Sequence, residues 1–151
     1  VKHPKPQAVV SQIAQIRELA NQFLERELNR RGISGIVPAH GSILAFLFQQ
    51  SGPVPIKDIV AAAGRVKSTV TGMLQTLEQH GYIEKTAAAD DNRVTYITLT
   101  AKGQALRDPF IDISSRLIDT FYGKMPESDR QTLVRLLIQI QANFENDAQT
   151  K

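Results

Sequence analysis

The spacing of apolar residues changes period at Gly81. Before it, Val70, Met73, Leu74 and Leu77 recur at i, i+3, i+4 and i+7, along one side of a helix. After it, Ile83, Lys85 and Ala87, then Val94, Tyr96 and Thr98, alternate with more polar neighbours at period two. Upstream, Ile56, Ile59, Val60 and Ala63 form a shorter helical set. Gly64 follows it, where a chain leaving a helix often takes a positive φ that glycine adopts cheaply. Two helices joined by such a turn predict a helix-turn-helix, whose second helix can lie in a DNA major groove. A hairpin directly after that helix predicts a wing.

The apolar stripe dictates what faces outward. Lys67, Ser68, Thr71, Gly72, Gln75 and Gln79 lie opposite it, and no acid appears there before Glu78. Between the two strands, Ala89-Asp90-Asp91-Asn92-Arg93 has turn chemistry ending in a cation. Arg93 at the tip is placed to enter an adjacent minor groove, whose negative potential favours guanidinium. Arg65 and Lys57 flank the turn; phosphate contact and a merely solvated cation are both open for them. The competing account of the whole face is a solvated helix surface, and the wing that follows weighs against it.

The run Lys67-Ser68-Thr69-Val70-Thr71, the pairs Leu77-Glu78 and Gly81-Tyr82, and Asp91-x-Arg93 before Leu99-Thr100-x-Lys102-Gly103 are each weak signals. In this order and spacing they resemble the winged-helix core of the MarR family of bacterial transcription regulators. The resemblance implies a mainly α fold with a small β-hairpin wing, flanked by N- and C-terminal helical dimerisation elements. It implies a homodimer that binds a pseudo-palindromic duplex operator, most often as a repressor. The DNA-contact set carried over is Arg65, Lys67, Ser68, Thr69, Thr71, Gly72, Gln75, Lys85, Asp91, Asn92 and Arg93. Asp91 matches the family residue that steadies the wing arginine, and a turn-capping role is compatible with that.

Two positions depart from the pattern. Val66 stands where many members have a capping Ser or Asp. Gly72 stands where many carry a long base-reading side chain, which shifts specificity towards DNA shape. The family's crevice between wing domain and dimerisation helices can take small aromatic or anionic effectors. His40 and Phe48 are candidate ligand contacts there, against a surface or satisfied core role for His40.

The rest of the chain supplies helices on either side. Residues 1 to 6 read as a polar arm. Residues 7 to 31 read as a helix with Val9, Ile13, Ile16, Leu19, Ala20, Phe23, Leu24 and Leu28 on one side. Pro38 opens a helix carrying Phe46 and Phe48, and Val54-Pro55 can add a short third strand beside the wing. Thr100 can cap a helix running from Ala101 to Tyr122, which Pro109 should kink or split. Pro126 opens a last helix with Leu133, Leu136, Leu137, Ile140 and Phe144 apolar, and its tail from Glu145 reads as fraying. The expected organisation is residues 1–34 and 101–151 for dimerisation and 35–100 for DNA binding.

Composition narrows the alternatives. Net charge is +3, which permits a polyanionic partner without requiring one. There is no cysteine, so disulfides, thiolate ligands and thiol redox sensing are excluded. His3, His40 and His80 have no metal-ligand partner at helical spacing. No nucleophile elbow, P-loop, dinucleotide fingerprint or HExxH motif occurs, so neither an enzyme nor a cofactor is expected. No apolar run spans a bilayer and no signal peptide is visible, from which a cytoplasmic protein without membrane contact is expected. The alternative from another class is a winged-helix protein-interaction module.

Overall fold

Val70, Leu74 and Leu77 have no solvent exposure, and the architecture is arranged around burying them. A computed structural model describes residues 5–149. Residues 1–4, which hold His3 and most of the expected arm, lie outside the described residues. The chain divides into two units, with the boundary between Leu117 and Ile118.

In the first unit a 3-10 turn, Pro6–Ala8, leads into α1 (Val9–Arg30). A second 3-10 turn, Pro38–His40, opens α2 (Gly41–Phe48). Then come β1 (Val54–Pro55), α3 (Ile56–Ala63), α4 (Lys67–Gln79), β2 (Ile83–Ala87) and β3 (Thr95–Leu99). α5 (Ala101–Gln104) precedes α6 (Arg107–Tyr122), which runs across the unit boundary. α7 (Glu127–Gln149) makes up most of the second unit.

Gly64 ends α3 at φ 61°, the left-handed conformation that turns the chain into α4. The three strands form an antiparallel sheet in the order β1-β3-β2. Val54 pairs with Ile97, and Ile83 pairs with Leu99. The core joins Ile43, Leu44 and Leu47 of α2, Ile59 of α3, the α4 stripe, and Ile83, Ile97 and Leu99 of the sheet.

Three sequence expectations need correction. Val94, Tyr96 and Thr98 are not the inward parity of the second wing strand; Ile97 and Leu99 are. Register is the cause. Leu99 stands opposite Ile83, and Ile97 stands between Val54 and Lys85, so these share the face that covers the core. The helix expected from Ala101 to Tyr122 is split, but upstream of Pro109 rather than at it. Thr100 caps α5, accepting from the Gly103 N–H at 3.1 Å. The helix stops at Gln104 and restarts at Arg107. Pro109 then sits in the first turn of α6, where an N–H has no helical acceptor and its absence costs nothing. Lastly, α7 continues to Gln149 instead of fraying from Glu145.

Gly103 is required by a close approach. A Cβ there would lie 2.0 Å from the Tyr82 carbonyl oxygen, so only glycine lets α5 pack on the chain entering β2.

Glu27 of α1 is the one acidic side chain buried among the described residues, with 3% exposure. Arg31 holds one carboxylate oxygen and also bonds Asp112 of α6. Arg116 of α6 donates to Glu27 Oε2 at 2.6 Å, and Arg30 lies 3.4 Å from Oε1. A buried carboxylate is tolerable because its oxygens are met by guanidinium donors. The cluster ties the last turn of α1 to α6.

In the second unit, Arg130 closes the turn before α7. Its Nε donates to the Met125 carbonyl at 2.9 Å, and its guanidinium lies 5.0 Å from the Tyr122 ring centroid. None of the described residues of α7 is buried. Val134, Leu136, Leu137, Ile138, Ile140 and Phe144 are all exposed, as are Val9, Ile13, Ile16 and Leu19 of α1.

The Arg31 hydrogen bond, against the opposing effect of burial and with help from the Arg116 charge, holds Glu27 below the usual carboxylate range. Its contribution is complete above the unfolded carboxylate's pKa and is lost as pH falls through the lowered folded value. Wild-type stability to urea should therefore drop as pH falls below the usual carboxylate range. Glu27→Gln should be less stable at pH 7 and lose less over the same interval. Parallel acid limbs in the two proteins would contradict this role for Glu27.

Candidate nucleic-acid interface

The α4 stripe turns the opposite side of the helix to solvent. Arg65, Lys67, Ser68, Thr69, Thr71, Gly72 and Gln75 are all exposed. Val66 occupies the N-cap and provides no side-chain cap; the first helical bond is Val70 N–H to Val66 O at 3.2 Å. The N–H groups of Lys67, Ser68 and Thr69 therefore point out of the helix start without an intrahelical acceptor. Such donors, at the positive end of the helix dipole, suit a phosphate. Thr71 Oγ1 donates to the Lys67 carbonyl at 2.8 Å. With its proton so placed, Thr71 presents an acceptor and a methyl group outward. Gly72 has open space at its Cβ position, so the middle of the outward face is flat.

The wing tip is built on Asp91. Its carboxylate accepts the Arg93 N–H at 3.0 Å, and Arg93 Nε lies 3.7 Å from the same oxygen. Asp91 thus both caps the turn and sits beside the guanidinium. Backbone bonds from Ala88 N–H to Val94 O and from Val94 N–H to Asp91 O close the loop. The Arg93 side chain is 94% exposed, and Asn92 is exposed beside it.

Between the start of α3, the start of α4 and the wing lies a cleft of about 540 Å³. Lys57, Lys67 and Arg93 line it together with Tyr96, and no carboxylate does. Three cations from three separate elements converge on one concave surface. Lys57, left open by the sequence, is placed with the other two. The pairing of β1 with β3 could have indicated this, since it brings the start of α3 beside the wing. Lys85 is placed elsewhere: its ammonium is 3.0 Å from Glu78 of α4, and it does not line the cleft.

His40 and Phe48 are both buried. His40 Nδ1 accepts the Val37 N–H at 3.0 Å, which leaves the neutral ring's proton on Nε2. Burial, and secondarily the His80 charge, lower its pKa. Phe48 meets the edge of Phe110 at 5.3 Å, and the Arg107 guanidinium lies over its ring. Neither lines the nearby cavity of about 160 Å³ bounded by α1, α2 and α6, although Phe110 does. Among the described residues no group of three His, Asp or Glu side chains could hold a metal ion.

A three-stranded wing packed on a helix-turn-helix, with an exposed polar second helix and a cationic tip, defines the winged-helix class of DNA-binding proteins. The model of the MarR family matches residues 38–95, which run from the start of α2 into β3. Residues 38–95 are thus similar to the MarR family, and the curated relatives that the chain matches are named as HTH-type transcriptional regulators. The HTH-type transcriptional regulator YwhA of Bacillus subtilis is 28% identical over 109 residues, 69% of this chain and 78% of that protein. The fold is similar to that of S. aureus MepR in its complex with DNA, with TM-score 0.77 and 23% identity over 93% of this chain and 99% of that one. It is also similar to Bordetella bronchiseptica BpsR, whose DNA binding is regulated by 6-hydroxynicotinic acid. There the TM-score is 0.74 and the identity 18%, over 92% of this chain and 98% of the other.

Because the Gly72 Cβ position is open and lies inside a helix, Gly72→Ala should stabilise the fold by about 0.5–1 kcal/mol. Urea unfolding measures it. A destabilised variant would mean that the middle of α4 is not the open surface described.

Proposed function

We propose that the protein is a homodimeric repressor that binds a pseudo-palindromic duplex and is released from it by a small ligand. The observation that carries the reading is the acid-free cleft in which Lys57, Lys67 and Arg93 converge beside the outward face of α4. In this arrangement α4 enters a major groove. Ser68, Thr69, Thr71 and Gln75 face base edges and phosphates, and Arg65 and Lys67 meet the backbone. Arg93, steadied by Asp91 and flanked by Asn92, reaches the neighbouring minor groove. Lys85 contributes through Glu78, by holding the wing against α4.

Dimerisation is supported by the apolar residues that α1, the end of α6 and α7 leave exposed. Residues 1–34 and 101–151 would form the dimer and 35–100 would bind DNA. Two copies of α4 related by a two-fold axis then read two half-sites. Release is a population shift: a ligand that favours the form whose helix spacing mismatches the groove lowers DNA affinity. The ligand would occupy the cavity bounded by α1, α2 and α6, and BpsR provides the precedent for a ligand-regulated relative in fold. The setting is the cytoplasm, where the DNA is.

Selection from a random duplex pool should return a two-fold related consensus. On that duplex, Arg93→Ala should leave urea stability unchanged, weaken binding, and reduce the slope of log K against log salt by about one. Salt-insensitive binding to any duplex, without a preferred sequence, would instead favour a protein-interaction module.

A further inference from the structure

The outward face of α4 carries a restricted set of base-reading groups. In a major groove each base shows its own donors, acceptors or methyl group, and a different side chain suits each. Arginine or lysine suits guanine, a carboxylate suits cytosine, glutamine suits adenine, and a methyl group suits the thymine methyl. From Ser68 to Gln79 the helix has no arginine or lysine. The cations beside this stretch are placed otherwise. Arg65 precedes the helix, and Lys67 lines the cleft with Lys57 and Arg93. Lys85 lies 3.0 Å from Glu78, which is the single carboxylate of α4. The readers of guanine and cytosine are thus missing from the middle of the face or already paired.

What remains fits an A·T pair. Thr71 and Gln75 are neighbours at i, i+4, and both are exposed. The Thr71 hydroxyl proton is bound to the Lys67 carbonyl, so the groups it turns outward are a methyl and an acceptor. Gly72 has open space at its Cβ position, so no side chain there holds Thr71 and Gln75 away from the floor of a groove. We propose that Thr71 reads the methyl group of a thymine in each operator half-site, and that the base pairs under the middle of α4 are A·T. The assignment rests on the regulator reading above and extends it from duplex DNA to particular bases.

Deoxyuracil in place of thymine removes the base methyl and leaves the pairing edge intact, so it tests the claim. In the duplex selected from the random pool, each half-site thymine is replaced in turn, symmetrically in both half-sites. Affinity is measured at one fixed salt concentration. At one of these positions wild type should bind at least about threefold more weakly, the size expected from one buried methyl group. Thr71→Ser keeps the hydroxyl and drops the methyl; it should bind the thymine and uracil duplexes equally at that position. Thr71→Val keeps a methyl without the hydroxyl and should still prefer thymine, and it makes the test if Thr71→Ser does not unfold cooperatively. Such coupling between a protein methyl and a base methyl marks a direct contact, whereas an effect of uracil on DNA shape would persist in Thr71→Ser. A selected half-site without thymine, uracil tolerated by wild type at every position, a thymine preference kept by folded Thr71→Ser, or one lost in folded Thr71→Val would each overturn the proposal. The two readings fail differently. Tight binding of the selected duplex with uracil tolerated ends the base assignment alone, whereas a pool that yields no preferred duplex ends the regulator reading and the assignment with it.

Discussion

The seating of α4 on the core governs the molecule. Val70, Leu74 and Leu77 are wholly buried against α2, α3 and the sheet, and that burial leaves the helix no rotational choice. Three aliphatic side chains of this kind contribute roughly 1.5–3 kcal/mol each when fully buried. Turning α4 by a third of a revolution would expose them and bury Lys67, Thr71 or Gln75 without partners. The outward polar surface of α4 is thus a consequence of packing rather than of the polar residues themselves. The wing is registered to the same helix. The Tyr82 N–H bonds the Leu77 carbonyl at 2.9 Å, Lys85 pairs with Glu78, and Ile83 and Leu99 pack on the stripe's cluster. These contacts fix the base of the wing to α4.

Charge is distributed in two ways. Around Glu27, arginines and carboxylates satisfy one another, and their role is to hold α1 against α6. Around the cleft, Lys57, Lys67 and Arg93 converge with no acid in the lining, and Arg93 extends almost wholly into solvent. Lys57 and Lys67 meet no carboxylate in that lining, while Asp91 stands beside Arg93, so the concave surface suits an external anion. The modest net charge of +3 conceals this, because it sums internal pairs with outward cations.

What the sequence made legible was local. The i, i+3, i+4, i+7 stripe of α4, the glycine after α3, the Asp91–Arg93 turn and the Thr100 cap each depend on residues a few positions apart. The structure has all of them. What it left hidden depended on partners distant in the chain. The inward parity of β3 is decided by its pairing with Ile83 and Val54, and the alternation around Tyr96 fits either face. Glu27 looks like one more acid on a polar helix side, and its burial also depends on Arg116, 89 residues away, which joins Arg31 on the carboxylate. The placing of Lys57 beside Arg93 and the apolar cavity beneath Phe110 are likewise tertiary facts. Pro109 shows the same limit at short range. Its incompatibility with a continuous helix was visible, but the chain's choice to break at Ala105 and Leu106 was not.

Amide hydrogen exchange of the full chain, with and without the selected duplex, tests most directly whether α4 and the wing tip form the DNA surface. The account predicts protection concentrated in the first turns of α4 and at Asn92 and Arg93, with the already buried second half of α4 little changed. Protection confined to α7 or to the Glu27 region, with these amides unaltered, would contradict it.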